Sequence, residues 1–373
     1  MWWLSLWWIG YGYLLHRWHP QRQRKAPPPG LEAPAEQLSP LQVSLIIPAR
    51  NEAERLPALL DALSRETFPL LEVIVVDDHS TDATREATHA WQERLPFPLH
   101  YLSSAGVGKK AALLTGLRAA RGEIVITLDA DTVPLPGAIE TLLRPFTYPT
   151  VHMSAAYVRF WNTTAFEKGD FFQRFLLAFQ ALEMAGILAL TAGSWQRGEP
   201  ITVNGAFLAY RRAAFKEVGG WGEAPHPGGD DELLMQRIYR QIGPQALAFS
   251  GAVAETRPAQ SWRELWHQRH RWLSKTRYAI LPWVRAGLLA LGLTHLLFWG
   301  LLLFEPKLAL LHLGVTGALQ AWVIEAGRRA MHLPAFLWLW YPLSQLWYPV
   351  YVACLLLIRW RRRFWWRGRW YAR

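Results

Sequence analysis

Three short apolar, largely β-branched runs, Val43–Pro48, Leu71–Val76 and Glu123–Leu128, each stop at a polar loop: Pro48–Glu52, Asp77–Asp82 and Asp129–Asp131. Runs of this length and composition read as buried strands. Between them, Glu54–Ser64, Ser80–Glu93 and Lys109–Ala120 carry helical periodicity, and Leu99–Leu102 reads as a further short strand. Strand and helix therefore alternate. That alternation predicts an α/β fold with a mainly parallel, helix-covered sheet, whose ligands bind beyond the carboxyl ends of the strands. No repeat of solenoid or propeller period interrupts it.

The polar loops carry the chemistry. Asp129-Ala130-Asp131 ends a buried strand, so two carboxylates stand one residue apart on a strand-terminal loop. Such hard oxygen donors suit Mg²⁺ or Mn²⁺, which neutralises a departing diphosphate; the alternative is a solvated acidic turn. Asp77 and Asp78 follow another buried strand, where a carboxylate accepts hydrogen bonds from a base or ribose, or else caps the next helix together with Ser80, Thr81 or Asp82. Gly228-Gly229-Asp230-Asp231-Glu232 opens an amphipathic helix at Leu233–Tyr239. An aspartate there serves either as a general base or as a helix cap. Gly106-Val107-Gly108-Lys109-Lys110 resembles the end of a phosphate loop, but Ser103 and Lys110 break the Walker pattern. A Walker ATPase is excluded, while Lys109 at a helix N-terminus still suits a phosphate.

The rest of the chain points to a membrane. Of 373 residues 51% are hydrophobic, with 22 Trp, and Met1–Leu15, Gly287–Phe304, Leu308–Ile324 and Pro334–Ile358 are apolar runs to weigh against the ~20 residues that cross a bilayer. The first is short and reads as a retained anchor, because it lacks a basic start and a cleavage site. Arg17, Arg22, Arg24 and Lys25 follow it, which puts the next domain in the cytoplasm. Three further crossings would place the arginine-rich tail 359–373 outside, against the same rule. One segment is therefore miscounted, and Pro342 and Pro349 make Pro334–Ile358 the candidate for a broken, re-entrant element.

The net charge of +11 comes from arginines clustered beside apolar runs, which favours anionic lipid over nucleic acid. Ser261–Tyr278, with Trp262, Trp266 and Trp272 among Arg263, Arg269, Arg271 and Lys275, reads as an interfacial helix with tryptophans at headgroup level. Phe171–Leu190 reads equally as an apolar acceptor surface or as a core helix. The single cysteine, Cys354, rules out a disulfide framework. The expected organisation is an anchor over 1–19, a Pro-rich linker over 20–41, the α/β domain over 42–260, the interfacial helix over 261–278, a transmembrane region over 279–358 and a basic aromatic tail over 359–373.

In this order, Ile47-Pro48-Ala49-Arg50-Asn51-Glu52, Val76-Asp77-Asp78-His79-Ser80-Thr81-Asp82, Gly108-Lys109, Asp129-Ala130-Asp131, Asn204-Gly205-Ala206, Gly229-Asp230-Asp231 and Gln268-Arg269-His270-Arg271-Trp272 resemble the motifs of the family 2 inverting glycosyltransferases. The similarity is greatest to their membrane-integrated branch, which includes cellulose, chitin and hyaluronan synthases and ceramide glucosyltransferase, and it spans about Val43 to Trp272. It implies a GT-A, Rossmann-like nucleotide-sugar-binding domain. Pro48, Arg50, Glu52 and Asp78, with Asp77 and Lys109 beside them, would bind the donor. Asp129 and Asp131 would hold its diphosphate through the metal, and Asn204 and Gly205 would meet the acceptor. Asp231, or Asp230 next to it, would be the base, with Gln268, Arg271 and Trp272 forming the Q-x-x-R-W signature near the diphosphate. The implied enzyme is membrane-bound, in the cell (inner) membrane. It takes a nucleotide sugar, with a UDP-sugar expected, to a lipid or lipid-linked acceptor. The alternatives are a processive polysaccharide synthase and a non-catalytic nucleotide-binding scaffold.

Overall fold

The computed structural model describes residues 2–20, 41–222, 229–275, 281–358, 363–366 and 369–372. The linker 20–41 lies almost wholly outside them, as do Gly228 and seven of the fifteen residues of the basic tail. In chain order the elements are α1 (Trp2–Arg17), β1 (Val43–Ala49), α2 (Leu56–Ser64), β2 (Glu72–Asp77), α3 (Thr84–His89), β3 (Leu99–Ser103), α4 (Lys109–Ala119), β4 (Ile124–Leu128), β5 (Thr132–Pro134), α5 (Ala138–Leu143) and β6 (Met153–Phe160). There follow α6 (Thr163–Lys168), α7 (Phe171–Gln196), β7 (Phe207–Arg211), α8 (Arg212–Glu217), α9 (Asp230–Gln241), β8 (Leu247–Thr256), α10 (Trp262–Lys275), α11 (Pro282–Phe304), α12 (Pro306–Ala330), α13 (Tyr341–Ile358) and the short pair β9 (Arg363–Trp366) and β10 (Arg369–Ala372).

The chain divides into two compact units, one of Arg24–Val158 and Thr202–Arg257, the other of Met1–Gln23, Arg159–Ile201 and Pro258–Arg373. The first is built on an eight-stranded sheet in the order β3-β2-β1-β4-β7-β6-β8-β5. Its β1 to β4 are parallel where they pair, as the alternating sequence predicts. The other half is not, because β4 pairs antiparallel with β7, β7 with β6, and β5 with β8. The expectation of a mainly parallel sheet is thus corrected to a mixed one. The β-α-β alternation counted from sequence stops at β4, whose second neighbour, β7, is not the next strand in the chain, so no β-α-β unit sets its direction.

Both faces of the parallel half are apolar, which is why its strands read as unbroken apolar runs. On one face Val43, Leu45, Ile47, Val73, Val75, Ile124 and Ile126 pack with Leu56, Leu59, Leu60 and Leu63 of α2. On the other, α4 lies so close that a Cβ on Gly116 would sit 2.5 Å from the Ile46 side chain. The register pairs Ala49 with Asp77 and Asp77 with Ser103, so the strands end level and their terminal loops share one edge.

The second unit is helical. Residues 159–201, counted from sequence inside the α/β domain, group with it instead, because α7 buries an apolar surface against α12. A Cβ on Gly327 of α12 would fall 1.9 Å from the Ala185 carbonyl of α7, so only glycine allows that approach. Among the described residues three helices are long and apolar enough to cross a membrane: α7, α11 and α12. They differ in kind. The apolar stretch of α7 is 78% buried by protein, whereas those of α11 and α12 are 22% and 33% buried and expose Leu289, Leu293, Leu303 and Leu310. Of the two readings of Phe171–Leu190, the core helix prevails along its length, with Phe171 and Phe172 exposed at its start.

The first and the last of the four apolar segments fold differently from each other. The segment 1–15 forms α1, 16 residues and about 24 Å long, which is not among the three. Pro334–Ile358 breaks, but between a 3-10 turn at Ala335–Trp340 and α13, and α13 then runs through Pro349. Pro342 sits in the first turn of that helix, where a missing N–H costs nothing. Helices α11 and α12 are joined by Glu305 alone and fold back as a hairpin, tied where His312 Nε2 meets the Thr294 carbonyl at 2.9 Å. Within their unit the half-buried tryptophans of α10 make ring contacts: Trp262 lies against Phe175, Phe179 and Trp347, and Trp266 against Tyr351.

Candidate active site

The edge formed by the carboxyl ends of β1, β2 and β4 gathers the acidic loops. At its centre is Lys109, the first residue of α4, whose Nζ lies 2.7 Å from Asp129 Oδ1 and 3.5 Å from Asp230 Oδ2 and donates to the Gly205 carbonyl at 3.3 Å. Burial alone would lower its pKa, but the Asp129, Asp230 and Asp231 carboxylates outweigh that and hold it above the ordinary lysine range.

Asp231 is buried and fixed: its Oδ2 accepts from Gly205 N at 2.9 Å and its Oδ1 from Glu232 N at 2.8 Å. Neither Asp230 nor Asp231 is the helix cap. That position belongs to Gly229, whose φ of 86° is in the left-handed region, and both aspartates fall inside the first turn of α9, where the macrodipole favours their charge. Gly205 has no room for a side chain, since a Cβ there would lie 2.7 Å from Asp231 Cβ and Oδ2. Of the expected acceptor pair, Gly205 braces Asp231 and Lys109, and Asn204 Oδ1 accepts from Ala206 N at 3.0 Å.

The β1 and β2 loops are laced together. Arg50 Nη1 donates to the Asp78 carbonyl at 2.7 Å, and Asn51, at φ 54°, accepts from Thr81 N at 2.8 Å. Asp78 Oδ1 accepts from Gly108 N at 2.9 Å, which ties the β2 loop to the start of α4. Asp77 is the more structural of the two acids: it accepts from Ser80 N at 3.0 Å and from Tyr101 OH at 2.7 Å. Burial and then that carboxylate push the Tyr101 phenol up to about 12. Of the expected caps, Asp82 alone reaches the start of α3, accepting from Thr84 N at 3.1 Å. Pro48 is partly exposed at the end of β1, but Glu52 is 1% exposed with its carboxylate 2.9 Å from Arg55, so it supports the loop from below.

Asp129 and Asp131 flank Ala130 on the turn from β4 to β5, and the Asp129 side chain is 31% exposed. Among the described residues no group of three or more His, Cys, Asp or Glu side chains forms a closed ion site. Two carboxylates on an accessible turn fit a cation such as Mg²⁺ or Mn²⁺ that completes its shell with phosphate oxygens and water. The ammonium beside Asp129 shows that this position stabilises positive charge.

Gln268, Arg271 and Trp272 lie on α10 in the helical unit and so do not belong to the compact unit that holds the aspartates. Within their own unit, Arg269 Nη1 donates to Gln268 Oε1, and the Arg269 guanidinium lies 4.2 Å from the Trp272 ring centroid. Sequence reasoning missed what holds Arg269, namely Glu183 of α7. The signal was present, a lone acid inside a 26-residue apolar helix.

Residues 44–219 match the family described as Glycosyl transferase family 2. A probable glycosyltransferase of Bacillus subtilis, YdaM, is 26% identical over 65% of this chain and 57% of its own length. The undecaprenyl-phosphate 4-deoxy-4-formamido-L-arabinose transferase of Pseudomonas fluorescens is 37% identical over 28% of this chain and 32% of its own. The chain thus spans little more than half of the one relative and a third of the other. Among solved structures, the mannosyltransferase PcManGT of Pyrobaculum calidifontis, in complex with GDP-Man and Mn²⁺, shares the fold at a TM-score of 0.57 and 22% identity, covering 88% of this chain and 96% of that one.

Proposed function

We propose that the protein is a membrane-bound, inverting glycosyltransferase that moves one sugar from a nucleotide sugar, of the UDP class, to a lipid or lipid-linked acceptor. The observation that carries this reading is the gathering of Asp129, Asp230 and Asp231 around Lys109 at the sheet edge of a family 2 glycosyltransferase domain. Asp231, held by Gly205 N–H, accepts the proton of the acceptor hydroxyl. The freed oxygen forms its bond to the anomeric carbon as the bond to the nucleoside diphosphate breaks on the opposite side, so an α-linked donor gives a β-linked product. Asp129 and Asp131 hold a divalent cation, which when bound neutralises charge on the diphosphate. Lys109 adds a second positive charge there, and Asp77, Asp78, Arg50 and Pro48 form the nucleotide end of the site.

A lipid acceptor is favoured by the small number of apolar helices, too few for one chain to enclose a polymer channel, and by the lipid-linked chemistry in the name of the Pseudomonas relative. The α11–α12 hairpin crosses the membrane out and back, with anionic lipid at its basic flanks. With Pro334–Ile358 held on the side to which α12 returns, the arginine-rich tail comes to the cytoplasmic side and its conflict with the positive-inside rule is removed.

Nucleotide release by the full chain in lipid nanodiscs, against UDP-, GDP- and dTDP-sugars with Mn²⁺, Mg²⁺ or chelator, tests the reading when followed by mass spectrometry of the lipid fraction. Metal-dependent release with a singly glycosylated lipid is expected. A ladder of products would replace it with the polysaccharide synthase, and silence from folded protein would replace it with the scaffold.

A further inference from the structure

The one ion pair in which both side chains are almost fully sealed, among the described residues, lies in the helical unit, remote in sequence from the aspartates. Glu183 of α7 and Arg269 of α10 have side chains 5% and 4% exposed. Glu183 Oε2 accepts from Arg269 Nε at 3.1 Å and from Nη2, while its Oε1 accepts from Tyr351 OH of α13 at 2.6 Å. The same Tyr351 oxygen accepts from Arg269 Nε at 3.0 Å. Three helices are therefore joined at one closed set of charges.

Stability does not explain such a pair. Taking two charges out of water costs several kcal/mol for each ion, and apolar residues of similar volume often do as well or better. What an apolar pair would not supply is direction. Glu183 takes up Nε and Nη2 of the fork, which leaves Nη1 for Gln268 Oε1 and the flat face of the guanidinium for the Trp272 ring, 4.2 Å away. Phe160 flanks the same two side chains, with its ring centroid 6.0 Å from the guanidinium carbon and 5.9 Å from Trp272. Two of the three side chains in the Gln268-x-x-Arg271-Trp272 signature are thus oriented by the residue between them.

We infer that Arg269 is the positioning residue of that signature, with Glu183 and Tyr351 setting the guanidinium so that Gln268 and Trp272 keep one orientation. The inference rests on the proposed function only in supposing that the signature serves the transfer. Lysine at position 269 keeps the charge for Glu183 but has neither the planar fork nor the stacking face, so the substitution separates pairing from positioning.

The test compares wild type, Arg269→Lys and the paired Glu183→Met/Arg269→Met variant, each as the full chain in nanodiscs. Three readouts are needed: thermal midpoint, nucleotide-release kcat and KM, and hydrogen exchange along 262–275. The paired variant is expected to melt at or above wild type yet lose roughly 10- to 100-fold in kcat, with faster exchange over Gln268–Trp272. Arg269→Lys is expected to fold, to lose kcat to a smaller extent and to loosen the same stretch. Wild-type kcat and exchange in the paired variant would overturn the inference, as would activity that simply follows the melting midpoint across the set. If the paired variant fails to fold, Arg269→Lys decides, and wild-type values there overturn the inference. If wild type itself releases no nucleotide, the transferase reading fails separately and the exchange arm alone judges the positioning.

Discussion

The two units each bury a cluster of opposite charges, and the clusters are closed to different degrees. In the helical unit Glu183 and Arg269 are sealed, and each polar atom named there meets a fixed protein partner. At the sheet edge, Lys109 and Asp129 are 16% and 31% exposed, and the ammonium is shared among Asp129, Asp230 and a backbone carbonyl. A sealed set holds one geometry. An open set of the same charges can exchange partners when a phosphate and a cation arrive, because neither the amine nor the carboxylate is committed to a single contact. The difference separates a cluster that fixes structure from one suited to chemistry, and substitutions should divide along that line.

The largest expected effect is at the open cluster. Asp231→Asn should lower kcat for nucleotide release by roughly 10²- to 10⁴-fold, with donor binding largely kept and the thermal midpoint nearly unmoved. Titration with the nucleotide alongside initial rates distinguishes these. A collapse of stability with little change in rate per folded molecule would make this cluster structural too.

Next comes Glu183→Leu alone. It strands the Arg269 guanidinium without its carboxylate and should cost about 3–5 kcal/mol in denaturant unfolding, far more than the paired apolar replacement. Equal destabilisation by the single and paired variants would show that the site is less sealed than its burial indicates.

Smaller again is Gly205→Ala. The added methyl would press on Asp231 at 2.7 Å, so the carboxylate must turn away from the Gly205 N–H. The expected result is a loss of about 1–3 kcal/mol from overpacking together with a fall in kcat. A variant as active and stable as wild type would mean that Asp231 does not need the orientation it has here.

How much of this was legible beforehand follows the same division. The parallel half of the sheet was readable because both of its faces are apolar, and each of β1 to β4 begins and ends within two residues of its expected bounds. The converging loops were readable because acids after a buried run have few other reasons to be there. The antiparallel half was not, since β5 has three residues and β7 follows a long excursion through the helical unit, and neither leaves a periodicity to count. Glu52, Asn204 and Gly205 are expected at ligand from resemblance, and the contacts they also make within the protein, to Arg55, Ala206 and Asp231, are tertiary facts that resemblance does not carry. The ring of Trp272 and the amide of Gln268 were foreseen as site groups, but their dependence on Glu183, 86 residues from Arg269 in sequence, is a tertiary fact that no local pattern carries.

The smallest expected effect concerns a third buried acid, at the opposite end of β2 from the aspartate loop. Glu72 is 2% exposed and accepts from Ser44 Oγ at 2.7 Å, Arg121 N at 2.8 Å and Arg121 Nε at 3.1 Å. Burial pushes its carboxyl up, but those hydrogen bonds and the arginine charge outweigh it and hold the group below the usual glutamate range. The sign follows directly. Because the folded pKa lies below the unfolded value of about 4.3, the stabilisation is complete above that value and is lost as pH falls through the folded pKa. Glu72→Gln should therefore cost about 1–2 kcal/mol at pH 7 and flatten the decline of the urea midpoint as pH falls below the unfolded glutamate value. Like Glu183 this acid is sealed, so kcat per folded molecule should not move. A change in kcat at unchanged stability would show that the sheet transmits strain from its far end to the loops, and the contrast between closed and open charge would then no longer sort structure from chemistry.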